Sequence, residues 1–162
     1  MIYIGLDNGV SGSIGIVKDN GRYNFYKVPC FVEQNYTKAK GNISRIDHKA
    51  FHKLLKPYSK KTCKIFLERP MVNPGRFKAT VSALRALESC LIVVETLGIP
   101  HEYIDSKEWQ KAILPKGVSG DELKKASLDI GCRLFPKRKT RITSHKDADG
   151  ILIAEYARRV KK

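Results

Sequence analysis

Three carboxylates occupy places where a folded chain finds charge expensive. Asp7 ends the apolar run Ile2-Tyr3-Ile4-Gly5-Leu6, Glu68 follows Ile65-Phe66-Leu67, and Asp149 precedes Ile151-Leu152-Ile153-Ala154. An ionised side chain on a buried element is costly unless a cation or a partner compensates it. Each acid has a structural explanation when taken alone. A strand-end Asp is commonly a turn former, Asp147 or Asp149 fits a helix cap, and Glu68 has Arg69 beside it for an ion pair. Together, in a chain rich in Lys and Arg, they point to a metal site facing nucleic acid. Carboxylate oxygens without cysteine suit Mg²⁺. Two such ions, about 3.5–4 Å apart, would activate an attacking water and stabilise the leaving oxygen of a phosphodiester.

Composition supports that direction. The 162 residues carry 31 Lys and Arg against 16 Asp and Glu, a formal net charge of +15. Such an excess attracts polyanions over long range, nucleic acid first and an anionic membrane surface second, with mere solubility as the plain alternative. Cys30, Cys63, Cys90 and Cys132 form no Cys-x-x-Cys pair, which argues against a zinc site and for reduced thiols. No apolar run approaches membrane-spanning length, since Cys90–Val94 is broken by Glu95. The N-terminus opens on a strand rather than a signal-peptide pattern, so a cytoplasmic location, in a bacterium or a phage-infected cell, is the expectation.

The elements that must position the acids are readable from period and punctuation. Ile2–Leu6, Ser13–Val17 and Tyr23–Val28 predict three antiparallel strands, the last two joined by Asp19-Asn20-Gly21. Residues 31–46 show no clear period and are expected as a loop. Asp47 caps a helix to Tyr58, and Lys64–Arg69 is a fourth strand. After the Asn73-Pro74-Gly75 turn, a helix is expected from about Ala79 to Leu97, with Val81, Leu84, Leu87, Leu91 and Val94 on one stripe. Tyr103–Asp105 is a fifth strand, Ser106 a cap for a brief helix around Trp109, and Ser119-Gly120-Asp121-Glu122 a capping box for a helix to Leu134. Residues 136–143 form a basic loop, and Asp147–Val160 is the final helix. This order predicts one α/β domain over residues 1–162, a mixed five-stranded sheet with three antiparallel strands, parallel crossovers, and helices on its faces.

These residues resemble a known pattern. Gly5-Leu6-Asp7-Asn8-Gly9 with Gly12 and Gly15, Leu67-Glu68-Arg69-Pro70, and the stretch from Asp147-Ala148-Asp149-Gly150 to Tyr156 look like the RuvC family of Holliday-junction resolvases, RNase H-like nucleases, and more closely its short phage members. The likeness runs through essentially the whole chain. It implies that Asp7, Glu68 and Asp149 bind two divalent ions, Mg²⁺ with Mn²⁺ as a substitute, and that water cleaves the strand to 5′-phosphate and 3′-hydroxyl ends. The family commonly has Asp or His three or four positions before the last Asp, where this chain has Lys146 and His145. Asp147 and His145 therefore compete for the fourth ligand position, with the carboxylate preferred if the helix starts only at Asp149. Lys146 is a candidate for the scissile phosphate.

Resolving a four-way junction takes two opposed cuts, so the resemblance also implies a homodimer, formed through the helix at 79–97. Candidate DNA contacts are Arg76, Phe77, Lys116, Lys124 (with Lys125), Lys137, Arg138, Lys139, Arg141 and Lys146. A solvated face is the plain reading of these cations, and packing beneath the long helix that of Phe77. Trp109 reads as core. His48, His52 and His101 receive no role. Three other readings stay open: a flap, branch or RNA–DNA hybrid nuclease on the same fold, a DNA-binding protein with a dead site, and a phosphate-binding protein of the actin–hexokinase type, which normally needs two lobes.

Overall fold

The computed structural model describes residues 1–161. Strands β1 (Ile2–Asp7), β2 (Ser13–Lys18) and β3 (Tyr23–Lys27) form an antiparallel meander. A hairpin of β4 (Cys30–Gln34) and β5 (Asn42–Ile46) follows, then helix α1 (His48–Leu55). Strand β6 (Cys63–Glu68) leads through a 3-10 turn at Pro74–Arg76 to helix α2 (Phe77–Thr96). Strand β7 (His101–Ile104) precedes α3 (Ser106–Ile113), α4 (Glu122–Leu134), α5 (Lys139–His145) and α6 (Asp149–Val160). The main sheet runs β3-β2-β1-β6-β7, with β6 parallel to both β1 and β7. The expected mixed five-stranded sheet with flanking helices is the observed one.

Alternation along the strands sorts the core into two layers. Ile4, Leu6, Ile14, Ile16, Ile65 and Leu67 pack with Phe51, Cys90 and Val94 of α1 and α2. Tyr3, Val17, Phe25 and Phe66 pack on the other face with Trp109 and residues 151–154 of α6. By the same period of two, Gly5, Asp7, Ser13, Gly15 and Glu68 belong to the α6 face. Asp7 and Glu68 thus end two neighbouring parallel strands on one side of the sheet, because Leu6 pairs with Leu67.

Helix α6 rests directly on strand backbone. A Cβ on Gly5 would lie 2.1 Å from the Gly150 carbonyl oxygen, one on Gly15 2.0 Å from Ile151 Cα, and one on Gly150 2.4 Å from the Ser13 carbonyl oxygen. At each crossing the neighbour is backbone, which cannot swing aside. The amphipathic logic of an ordinary helix–sheet layer is replaced here by contact at three glycines, so α6 is buried nearly all round over residues 150–157.

Several local expectations are corrected. The 31–46 segment is a hairpin rather than a loop. Its strands bury little, so it lacks the one-sided alternation that reveals a strand. The basic loop is a 3-10 turn at Pro136–Arg138 and a helix, α5, anchored by the buried Ile142 alone and ended by Lys146 at φ 76°. Single anchors leave no 3.6-residue period to find. Helix α2 begins two residues early, and Leu84 lies outside its buried face of Ala86, Cys90, Val93 and Val94. The capping box does not form: with Gly120 at φ 56°, the Ser119 carbonyl rather than its hydroxyl meets the Glu122 N–H. Nor does Ser106 cap α3, whose preceding residue Asp105 spends its carboxylate on Arg69 at 2.9 Å. Asp47 does cap α1, accepting from the Ala50 N–H at 3.0 Å. Strand ends shift by one or two residues. Among the described residues, no helix is long and apolar enough to cross a membrane.

A Gly15→Ala substitution should expose how α6 is held. Its methyl group can be accommodated only by moving the helix, so urea unfolding is expected to show a loss of about 2 kcal/mol or more. A loss under about 0.5 kcal/mol would mean that the backbone contact is not what fixes α6.

Candidate metal centre

Asp7 projects from the end of β1, the central strand, and Asp149 opens α6. Since α6 starts at Asp149, Asp147 lies outside the helix in the approach from α5 and turns inward. One carboxylate oxygen from each of Asp7, Asp147 and Asp149 lies within 4.8 Å of the other two. Glu68 stands at the adjoining strand end, close enough for its charge to act on Asp7. All four sequence candidates therefore converge, and Asp147 rather than His145 joins the oxygen cluster. His145 stacks edge-on against Phe25, with ring centroids 5.6 Å apart. Its Nε2 comes to 3.4 Å from Asp147 Oδ1 but is not aligned for a hydrogen bond.

The surroundings hold each acid in place through residues that sequence reasoning did not assign. Trp109 is fully buried, as expected of core, yet its Nε1–H donates to Glu68 Oε1 at 2.9 Å. A buried indole N–H demands a partner, but its identity is set by the fold. The buried Ser127 hydroxyl donates to Asp149 and accepts from the Ala148 N–H at 3.1 Å. Ser13 accepts from the Gly150 N–H at 3.0 Å, and Asp147 from the Asp149 N–H at 3.4 Å. The orphan donors at the start of α6 are thus met by side chains from three parts of the chain. Asn8 donates to the Glu68 carbonyl, leaving its buried Oδ1 without a partner.

Electrostatically the cluster is strained. Burial, then Glu68, Asp149 and Asp147, hold the Asp7 carboxyl well above the usual range. Burial pushes Glu68 up to about 7 against the opposing Trp109 hydrogen bond, and Asp149 up to about 6 against Ser127. Asp147 is raised by burial, while His145 is lowered, first by burial and then by Lys27. Lys124 is the cation whose charge reaches Asp7, Asp147, Asp149 and His145. The donor set fits a hard divalent cation: converging oxygens of mutually repelling carboxylates, flanked by the unpartnered Asn8 Oδ1 and His145 Nε2.

A cleft of about 390 Å³ opens onto Asp7, Asn8, Glu68 and Asp149 and is walled by Arg76, Thr80 and Gln110. Phe77, the residue after Arg76, is 72% exposed, so the packing alternative for this ring is excluded. Arg76 is the predicted DNA contact found in the carboxylate cleft. Lys146 and Arg141 line a neighbouring groove, and Lys137 and Arg138 a second one further along. Arg138 is partly committed to the fold, its Nη2 donating to Asn24 Oδ1 at 2.6 Å. Lys116, Lys125 and Lys139 are exposed in the α3–α4 loop, on α4 and on α5.

The fold is RuvC-like. Among solved structures the chain is similar to RuvC of Thermus thermophilus. In complex with Holliday junction substrate that protein gives a TM-score of 0.64 at 14% identity, over 98% of this chain and 93% of that one. A second Thermus thermophilus RuvC structure gives 0.58 at 15% identity, over 99% and 97%. No family model and no curated protein sequence matches the chain.

Two measurements probe the centre. Asp7→Asn removes one repelling charge, so the metal-free protein should gain about 1–3 kcal/mol, a rise of several degrees in Tm, and the further rise expected of the wild type on adding Mg²⁺ should be lost. An unchanged Mg²⁺-induced shift in the variant would count against Asp7 as a ligand. Trp109→Phe keeps the ring buried but frees Glu68, and Mn²⁺ affinity by calorimetry is expected to fall about 10–100-fold.

Proposed function

We propose that this protein is a structure-specific DNA endonuclease of the phage RuvC type, which resolves four-way junctions by paired hydrolytic cuts that leave 5′-phosphate and 3′-hydroxyl ends. The observation that carries the proposal is the convergence of Asp7, Asp147 and Asp149 oxygens within 4.8 Å beside Glu68, on a RuvC-like fold. A net charge of +15 around an acidic cleft supplies the attraction for a polyanion that four carboxylates alone would repel.

In this reading Asp7, Asp147, Asp149 and Glu68 hold Mg²⁺, with Mn²⁺ able to replace it. When bound, the ions supply activation of the attacking water and stabilisation of charge on the leaving oxygen. The chain's own residues orient the reaction. Trp109 fixes the Glu68 carboxylate, Ser127 fixes Asp149, and Asn8 fixes the backbone at the end of β6. Arg76, on the cleft wall, meets the phosphate backbone, and Lys124 offsets the negative field on the α4 side. The exposed Phe77 ring, next in the chain to Arg76, is free to stack on an unpaired base or to enter a junction centre. Lys116, Lys125, Lys137, Arg138, Lys139, Arg141 and Lys146 add phosphate contacts.

Paired cuts require two sites, and a homodimer through α2 supplies them. Leu84 and Ile92 are 43% and 55% exposed on that helix, beyond the face it buries in its own core. A cytoplasmic setting accords with the four free cysteines, of which Cys90 is pushed up to about 12 by burial.

Labelled four-way junction, Y-fork, flap, RNA–DNA hybrid and linear duplex, incubated with the protein in Mg²⁺, test the proposal directly. Symmetric paired nicks confined to the junction are expected, absent without divalent ions and reduced at least about 10³-fold in Asp7→Asn with junction binding retained. Preferential cutting of flaps or hybrids would replace junction resolution by a broader nuclease, and binding without any cutting would leave a DNA-binding protein.

A further inference from the structure

Outside the carboxylate cleft, one surface feature is built by two elements held in register. The segment 136–146 runs alongside the edge strand β3. The Lys137 N–H donates to the Tyr23 hydroxyl at 3.2 Å and Arg138 to Asn24 Oδ1 at 2.6 Å. Further along, the Arg141 guanidinium lies 5.9 Å from the Tyr26 ring centre and His145 packs on Phe25. Two clefts lie in a row along this seam. The outer one, of about 440 Å³, is lined by Lys18, Arg22, Lys137 and Arg138 among others. The inner one, of about 870 Å³, includes Lys27, Arg141 and Lys146 and ends at His145, beside Asp147. Among the described residues, neither cleft is lined by a carboxylate.

Resting on the nuclease reading above, we propose that this seam is the track for a duplex DNA arm leaving the cleavage site, gripped through its phosphates by β3 and the β2–β3 turn on one wall and by 136–146 on the other. The new contacts are Lys18, Arg22 and Lys27, on the sheet side of the seam. The five residues of β3 span roughly 17 Å at about 3.4 Å per residue, the rise of about five base pairs. Seven cations over that length, in clefts that no carboxylate lines, match a phosphate backbone, with Asp19 of the β2–β3 turn paired to the Met1 amino group at 2.6 Å. Duplex rather than single strand is indicated by the aromatic rings: Phe25 is buried, Tyr23 packs on Phe135, and Tyr26 is covered by Arg141, so none offers a free face to an unstacked base.

The test neutralises the sheet-side wall with Lys18→Gln, Arg22→Gln and Lys27→Gln combined. A matched control carries Lys49→Gln and Lys53→Gln on α1, which packs on the opposite face of the sheet, and Lys56→Gln in the turn just after it. Binding of a linear 20-base-pair duplex and of a four-way junction is titrated across salt for wild type and both variants, and junction cleavage is scored in parallel. The track variant is expected to bind both DNAs at least 10-fold more weakly at about 150 mM salt. Its slope of log K against log salt should be shallower by about 2–3 units, while the control stays within twofold of wild type. Wild-type affinity and slope in the track variant, an equal loss in the control, or no duplex binding by the wild type at low salt would each overturn the track. Cleavage separates the two readings. Weakened binding by the track variant with no cutting by the wild type sinks the nuclease and keeps the track, whereas junction cutting with unaltered binding does the reverse.

Discussion

Helix α6 touches the sheet with nothing between the two backbones. Gly5 on β1, Gly15 on β2 and Gly150 on the helix are the three places where a methyl group would strike main-chain atoms at 2.0–2.4 Å. The placing of Asp149 against Asp7 follows from that contact. It sets the distance between the end of β1 and the start of α6, hence between Asp7 and Asp149. It also places Ser13 under the Gly150 N–H, so that the helix begins where the strand ends. On α4 a similar economy operates: a Cβ on Gly131 would lie 2.2 Å from Ala148 Cβ, and Ser127, one turn earlier, reaches both Ala148 and Asp149. Small residues on three elements bring a fourth close enough to share a site.

What the contact assembles is electrostatically unfavourable, and the fold compensates for it locally. Four acids crowd together with burial raising each of them. Opposing this, the positive end of α6 faces Asp147 and Asp149, the Trp109 and Ser127 donors stabilise ionised Glu68 and Asp149, and Lys124 contributes at longer range. The two apolar layers on either side of the sheet supply the stability that the cluster consumes. Such an arrangement is stiff because each acid is held by a donor that is itself buried or anchored in an element, and stiffness is what ligand positions require.

Much of this was legible in the chain, for identifiable reasons. Apolar runs ending in an acid located Asp7 and Glu68, and strand alternation put them on one face. A run beginning after an acid located Asp149. Asp147 was harder, since its role turns on whether the helix starts at 147 or 149, and boundary placement by pattern is uncertain by a turn. The glycines were visible as letters of a motif, but only the crossing of α6 over β1 and β2 shows what each must avoid. Trp109 looked like core and is core; the hydrogen bond from its rim needed the β6–α3 geometry. Ser13 and Ser127 gave no signal, and Asn8 was only a letter of the first motif, because small polar residues are common and only tertiary placement makes them supports. The β4–β5 hairpin and α5 went unread for one shared reason: each buries too little to leave a period.

The opposition of a +15 surface and an acidic centre bears on the order of events at the proposed site. Basic walls draw phosphate from any direction, yet the last few ångströms bring it against carboxylates, and like charges in a partly desolvated cleft repel strongly. Lys124 and Arg76 cannot neutralise four acids. If the acids hold cations as proposed, ion binding turns the local field from repelling to attracting, and the phosphate in turn adds oxygen ligands for the ions. Linkage makes that help reciprocal: whatever factor the ions add to DNA affinity, DNA adds to ion affinity. The basic surface then recruits DNA whether or not ions are present, while the carboxylates admit the phosphate only with them. In the proposed nuclease, recruitment and commitment to cleavage would thereby be separated by the same carboxylates, of which the α6 contact brings Asp149 to Asp7.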